Sequence, residues 1–227
     1  MTILPPLTVL GEASPSGSYV LRIAVAAGIE LAFGRFKRGK SVFLPSGEYV
    51  DVGSALGKTG SVTLGRRLVR HATRTGSKPP HAIRAAMLEH FPTLGLSSLL
   101  PVNGKHLFWN VDHLLDRQDV DLMGAILIRS TVRMERELGQ FLERDPVTVV
   151  VEPGLGANDV PGNTHILRVE ADESWWCELP SRLDALRHAV EENQIEPLTP
   201  PDSRTPPRRR PRSRKRSPAG APSPERE

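Results

Sequence analysis

The sequence predicts an α+β fold followed by a disordered tail, on the strength of three observations. Short runs rich in β-branched and aromatic residues, bounded by Gly, Ser or Pro, recur along the chain as strands do. Between them lie segments whose apolar residues repeat at i, i+3 and i+4, the period of an amphipathic helix. From Pro197 onward almost nothing is apolar and Pro, Arg and Ser dominate, a composition that cannot offset the entropy of ordering. With 227 residues, 38% of them hydrophobic, the rest of the chain suffices for one core. The expected organisation is an N-terminal extension over 1–14, one domain over 15–195 and a basic tail over 196–227.

Each element follows from its own pattern. Tyr19 to Ala26 is the first expected strand, with Ile29 to Phe33 and Glu48 to Val52 after it, and Gly28 is placed in a hairpin turn. Leu64 to Thr73 carries Leu64, Leu68 and Ala72 at i, i+4 and i+8 and reads as a helix. A second helix, His81 to His90, is stopped by Pro92. Leu122 to Ile128 is a continuous apolar run that fits a central strand. Thr131 to Glu143 is helical, its stripe formed by Met134, Leu138, Phe141 and Leu142. Val147 to Val151 and Ile166 to Val169 are late strands. Arg182 to Glu192 closes the domain with Leu183, Leu186 and Val190 inward. Trp175 and Trp176, just ahead of it, suit core packing or surface anchoring better than base stacking.

Charge and cysteine content narrow the function classes. After residue 196 the chain has nine Lys/Arg and three Asp/Glu, so the tail carries +6 and leaves −2 of the net +4 to everything before it. The high pI belongs to the tail, not to a basic folded surface. A single Cys177 excludes a disulfide framework and a Cys-based zinc cage, and suits a reduced compartment. No apolar stretch approaches the roughly 20 residues that span a bilayer. The segment Met1 to Pro6 lacks a positive n-region and is broken by prolines, unlike a signal peptide. A cytoplasmic protein with no membrane association is expected.

The most informative stretch is Gly47-Glu48-Tyr49-Val50-Asp51-Val52-Gly53-Ser54-Ala55, followed by Leu64-Gly65-Arg66-Arg67-Leu68-Val69-Arg70-His71. A strand ending in Gly-Ser-Ala, then a helix with Arg and His on one side, suits a phosphodiester. Upstream lies Gly17-Ser18-Tyr19-Val20-Leu21. Downstream come Phe108-Trp109-Asn110-Val111-Asp112-His113-Leu114-Leu115, then Glu135-Arg136-Glu137, then Gly154-Leu155-Gly156-Ala157-Asn158-Asp159 with Thr164-His165-Ile166. Six motifs in this order, over roughly residues 15 to 170, resemble the GIY-YIG endonucleases, and more closely their Uri-type branch. The resemblance implies a small domain with a central, mostly antiparallel sheet flanked by helices. It implies an enzyme that hydrolyses DNA phosphodiester bonds with Mg²⁺ or Mn²⁺.

The same resemblance assigns roles. A tyrosine of the first two motifs, Tyr19 or Tyr49, aids deprotonation of the attacking water. Period-2 geometry puts Tyr49, Asp51 and Gly53 on one strand face, and Asp51 stands where the family has its second tyrosine. Arg67 occupies the family's arginine position; its planar fork suits a phosphate at any working pH. Arg70 and His71, at i+3 and i+4, share its helix face, with Arg70, Gly53, Ser54 and His165 as expected substrate contacts. His71 either polarises the leaving group or caps a turn. Glu135 is the expected metal ligand from the family match, because periodicity alone leaves Glu135 and Glu137 symmetric about the apolar stripe. Asn158, Asp159 and His165 are expected to pin their glycine-rich loop, Trp109 to lie in the core and Asp112 to partner an Arg. Where the branch has His and Tyr, this chain has Asn110 and His113. Gly53-x-x-x-Gly57-Lys58-Thr59 is one residue short of a phosphate-binding P-loop. The competing expectations are a catalytically weakened nucleic-acid-binding module that keeps the fold, and a protein-interaction platform.

Overall fold

The structure is a computed structural model that describes residues 5–57, 59, 62–96, 100, 104–157 and 160–195. The expected tail, and with it residues 196–227, lies outside the described residues, as do Asn158 and Asp159. In chain order the elements are β1 (Leu7–Gly11), β2 (Gly17–Val25), β3 (Ile29–Ala32), β4 (Ser41–Leu44), β5 (Gly47–Ala55), α1 (Leu64–His71), α2 (Ile83–Thr93) and α3 (Asn110–Leu115). They continue with β6 (Val120–Arg129), α4 (Glu135–Glu143), β7 (Thr148–Val149), β8 (Ile166–Val169) and α5 (Glu173–Ile195).

Six strands form one sheet in the order β1-β6-β2-β5-β8-β7, and β3 with β4 forms a separate two-stranded sheet. Every pairing is antiparallel except β1 on β6. The fold is therefore α+β, a mostly antiparallel sheet flanked by helices. β2 lies near the middle, and its register sets Tyr19 opposite Gly53 of β5 and Leu127 of β6. The strands of Tyr19 and Tyr49 are thus direct neighbours.

Alternation along the strands divides the interior in two. One face presents Tyr19, Leu21, Ile23 and Leu127 to Leu64 and Leu68 of α1, Met87 and Phe91 of α2, and Leu114 of α3. The other presents Val20, Val50, Val52, Ile126 and Leu167 to Leu138 and Leu142 of α4 and to Trp176, Leu179 and Leu183 of α5. A sheet buried on both faces reads as long apolar runs, which is why β6 was visible in the sequence. Trp175 and Trp176 belong to the second core: their indole N–H groups donate to Asp145 at 3.1 Å and to Glu48 at 2.6 Å. Arg22 of β2 stacks on Trp176 and pairs with Glu48 and Glu173, joining β2, β5 and α5.

Several expectations need correction. Residues 7–11, expected in an extension, form an edge strand on β6, with Leu7 and Val9 packed on one core and Leu10 on the other. Gly28 is in no hairpin turn between paired strands, because β3 leaves β2's sheet to pair with β4. Its Cα instead lies close under the Phe43 ring. The unexpected β4 has only four residues, too few for its alternation to stand out. Pro92 lies within the last turn of α2, one residue before its end. α4 begins at Glu135, after the non-helical backbone of Met134 at φ −122° and ψ 6°. α5 begins at Glu173, taking the two tryptophans into its first turns.

Candidate active site

The site forms where one strand outruns its neighbour. β8 pairs with β5 only as far as Ile166 opposite Asp51, with one more bond from the Val52 N–H to the His165 carbonyl at 3.1 Å. β5 continues to Ala55, so its end has no strand on that side. A cavity of about 30 Å³ opens at this edge, lined by Tyr19, Asp51, Gly53, Ser54, Arg67 and Trp109 among others. That volume admits a water molecule or a cation. A larger groove of about 570 Å³ runs along Leu31, Lys78, His113 and Asp116, but it gathers none of the motif residues of β2, β5 and α1.

Tyr19 begins a buried chain of hydrogen bonds. Its hydroxyl lies 2.9 Å from His71 Nε2, and His71 Nδ1 lies 3.1 Å from Asp112 Oδ1. Asp112 sits in the first turn of α3, where its other oxygen accepts the backbone N–H groups of Phe108 and Trp109, as a reverse cap does. Burial alone would raise its pKa, but the bond from His71 and the charge of Lys105, 3.3 Å away, hold it well below the usual carboxylate range. Burial pushes the His71 imidazole down, toward its neutral form. An ionised Asp112 must receive the Nδ1 proton, which leaves the Nε2 lone pair to accept from Tyr19. Burial, reinforced by Asp51, pushes the Tyr19 phenol far up, so it stays protonated.

Gly53 makes this possible. A Cβ there would stand 2.3 Å from Tyr19 Cζ and Oη, so only glycine lets the phenol lie across β5. Gly53 was expected to contact substrate; its observed part is steric.

Arg67 comes to the same cavity from α1. It is 9% exposed, its guanidinium lies 3.6 Å from the centre of the Trp109 ring, and it takes no hydrogen bond or ion pair from any described residue. Stacking on indole is worth up to about 2 kcal/mol when desolvated and leaves the in-plane N–H groups available. Trp109, expected simply in the core, is thus half-buried as a platform for Arg67.

One carboxyl group, Asp51, lines the cavity, and a second, Glu135, is tied to its wall through Ser54. Asp51 is 3% exposed, lines the cavity, and receives no hydrogen bond or ion pair from a described residue. Burial, with Glu135 and Asp112 adding negative charge, pushes its carboxyl well above the usual range. Glu135, at the start of α4 and 7% exposed, accepts the Ser54 hydroxyl at 2.5 Å, and His165 Nδ1 stands 3.6 Å from its other oxygen. Glu137 instead lines a groove with Arg144 and Arg182, so the structure separates the two glutamates that periodicity could not.

The expected site residues therefore divide. Tyr19 and Arg67 line the cavity, and Glu135 bonds Ser54 of its wall. Tyr49 does neither: its phenol donates to the Pro45 carbonyl at 2.6 Å, near the opposite end of β5, and burial pushes it up to about 12. Its face was read correctly, but two pleats of strand separate it from Gly53. His71 neither caps a turn nor reaches the cavity; it stands behind Tyr19. Arg70 is committed to the His106 carbonyl and to Asp112 at 3.4 Å, so it braces the loop before α3 where a substrate contact was expected. Ser54 and His165 likewise hold Glu135. Gly156, at φ +86, leaves just enough room for His165, whose Cβ would stand 3.0 Å from an added Cβ, which suits the loop-pinning role.

Three participants were missed or misread. Asp112 was matched to an arginine and does pair with Arg70 at 3.4 Å, but its second partner, His71 at 3.1 Å, was missed. Lys105 was not singled out. Asn110, whose amide donates to the Phe33 carbonyl at 3.0 Å, reaches the cavity wall from α3. All three depend on contacts distant in sequence, which local periodicity does not encode. A family model described as a domain of unknown function, DUF123, matches residues 18–187. No curated protein and no solved structure matches the chain.

Proposed function

We propose that this chain, which belongs to the DUF123 family, is a cytoplasmic metal-dependent endonuclease of GIY-YIG type, Uri-like, that hydrolyses DNA phosphodiester bonds. One observation carries the reading: a tyrosine hydroxyl on a proton-accepting chain and an unpaired arginine meet at one small cavity. A structural core needs no buried guanidinium that is stacked on an indole but makes no hydrogen bond to a described residue, since its desolvation is costly.

The chemistry follows from the residues. Tyr19 donates to His71 and turns its oxygen lone pair toward the cavity, where it can accept a proton from water. As water attacks phosphorus, its proton passes to the Tyr19 oxygen and the Tyr19 proton passes to His71 Nε2. The imidazolium that forms is stabilised by Asp112, the part an aspartate plays behind any catalytic histidine. The new O–P bond forms while the opposite P–O bond breaks, and the leaving oxygen takes a proton from solvent. Arg67 offers two parallel N–H donors to the crowded phosphoryl oxygens, where charge is greatest in the transition state.

A hard divalent cation suits the donors present. Among the described residues no group of three or more His, Cys, Asp or Glu could cage a metal, whereas Mg²⁺ is usually held by one or two carboxylates with water and substrate phosphate. Glu135, oriented by Ser54 and His165, provides such a carboxylate. When bound, the cation supplies Lewis-acid neutralisation of charge on the phosphate.

The second reading, a binding module that keeps the fold, is favoured by Asp51 in place of a tyrosine. Incubating the full chain with single-stranded, nicked, branched and base-damaged DNA, with Mg²⁺, Mn²⁺ or a chelator, separates the two. Cleavage that requires metal supports the enzyme. Binding without cleavage of any substrate under any metal rejects it in favour of the module.

A further inference from the structure

We propose that the groove between the end of β6 and α5 is a second phosphate site, in which Arg129 holds a DNA backbone phosphate away from the bond that is cut. The proposal rests on the nuclease reading for the identity of the ligand, and on separate observations for the site itself. Arg129 is the last residue of β6 and is 8% exposed. Its Nε–H donates to the Ser14 carbonyl at 2.8 Å, and no described residue gives it a carboxylate partner. A guanidinium carries five N–H donors, so most of its bonding capacity is unspent. Burial pulls its pKa below the ordinary value, and no anion pulls it back. A buried cation without a counter-charge is costly, and a bound anion removes that cost.

The groove is built around this guanidinium. It holds about 610 Å³ and is lined by Ser14, Arg129, Ser130, Thr131, Arg187 and His188, among others. The residues paired with Arg129 on both neighbouring strands are glycines, Gly11 of β1 and Gly17 of β2, so neither neighbour lays a side chain over it. The other buried charge there is already matched: Arg187 donates to Asp184 at 2.8 Å and to Glu191 at 2.6 Å, and Ser130 donates to Glu191 at 2.7 Å. Glu12 also lines the groove, but it is exposed and screened by water. Among the described residues of the groove, Arg129 is thus the buried charge left uncompensated. Its planar fork fits the paired oxygens of a phosphodiester.

The sheet places this groove beside the cavity. Tyr19 pairs with Gly53 on one side and Leu127 on the other, and two residues nearer the start of β2, Gly17 pairs with Ala55 and Arg129. Groove and cavity therefore lie at the same end of the sheet. Arg129 stands two strand spacings from Ala55, about 10 Å. At about 3.4 Å of axis per phosphate on one strand, that distance spans roughly three nucleotides. A strand whose scissile phosphate is held by Arg67 therefore reaches Arg129 with a phosphate a few nucleotides away.

The test reads DNA binding with a chelator present, so that it does not depend on cleavage. Fluorescence anisotropy of the full chain on one duplex, across a salt series, should show Arg129→Gln binding about tenfold more weakly. Its log–log salt slope should be shallower by about 0.9, the share of one phosphate contact. Arg129→Lys, which keeps the charge, should restore the slope, whereas an arginine with a merely structural role would cost stability and leave the slope alone. Thr131→Glu, at an exposed position of the groove, tests the site without touching the buried contact and should also weaken binding. The same charge in Met123→Glu, exposed toward the other end of β6, should not. Circular dichroism checks the fold of each variant. A wild-type slope in Arg129→Gln overturns the proposal, as does wild-type affinity in Thr131→Glu where Arg129→Gln fails to fold, or a wild type that binds no duplex. The nuclease reading is judged apart: a slope that falls in a chain that cuts no DNA keeps this site and removes the nuclease, and cleavage with an unchanged slope does the reverse.

Discussion

At the scale of single residues, the site is a division of labour between groups that face the cavity and groups that hold them. Tyr19, Asp51, Ser54, Arg67 and Trp109 line it; His71, Asp112 and His165 stand behind. Tyr19→Phe should lower single-turnover cleavage about 10²- to 10⁴-fold, the usual worth of a general base. It should also cost about 1–3 kcal/mol of stability, because His71 Nε2 is left buried without its partner. Rapid-quench cleavage and urea midpoints on the same preparations measure both, and wild-type cleavage by Tyr19→Phe would remove it from the mechanism. Glu135→Gln should abolish metal-dependent cleavage, while Glu137→Gln leaves it within about twofold, because Glu137 faces another groove. The reverse outcome would move the metal ligand. Tyr19, Arg67 and Glu135 were legible because motif residues carry their chemistry in their identity. Tyr49 was misplaced because alternation reports a face and not a position along it. Asp112 was rightly matched to an arginine, Arg70, but its bond to His71, 41 residues away, was not legible.

At the scale of elements, the long strands and helices were legible, and of the short strands β3, β7 and β8 were but β1 and β4 were not. β8 coincides with its expected span because three of its four residues, Ile166, Leu167 and Val169, pack on the two cores. β1 and β4 were missed: each is four or five residues long, and neither alternates strongly enough to be seen beside prolines and glycines. The helices on the Tyr19 face are fastened by His81. Its Nδ1 accepts the Leu122 N–H at 3.0 Å and lies 3.1 Å from Arg74, while Nε2 donates to the Leu115 carbonyl at 2.8 Å. This neutral ring joins the approach to α2, the end of α3 and the start of β6. Burial, assisted by Arg74, lowers its pKa to about 4, against about 6.5 in an unfolded chain. Between those values the unfolded state binds the extra proton, so stability rises with pH there and is lost as pH falls from about 6.5 toward 4. The loss attributable to His81 should approach about 3 kcal/mol. Urea unfolding at pH 7 and pH 4.5 should show a flatter dependence in His81→Gln than in the wild type, and equal slopes would assign the acid sensitivity to other groups.

At the scale of the whole molecule, composition marks the chain from Pro197 onward as basic and poor in apolar residues, and the first compact unit ends at Ile195. No helix among the described residues is long and apolar enough to cross a membrane. The residues before 197 carry a net −2, while those from 197 onward carry +6, so the excess positive charge of the chain lies in its last 31 residues. Deleting 197–227 should weaken binding and flatten its salt dependence without changing which DNA is cut, since phosphate contacts release counterions but do not read bases. Fluorescence anisotropy across a salt series on one duplex compares the two chains; identical affinities and slopes would show that the tail does not engage DNA. The central claim concerns the body: that the unpaired guanidinium at the end of the β-sheet stabilises a phosphoryl transition state. Its most direct test is the Mn²⁺-dependent cleavage rate of wild type and Arg67→Ala, purified identically and shown by circular dichroism to be equally folded. The account predicts wild-type cleavage that a chelator stops and a fall of at least about 100-fold in Arg67→Ala. Equal rates in the two proteins would contradict it.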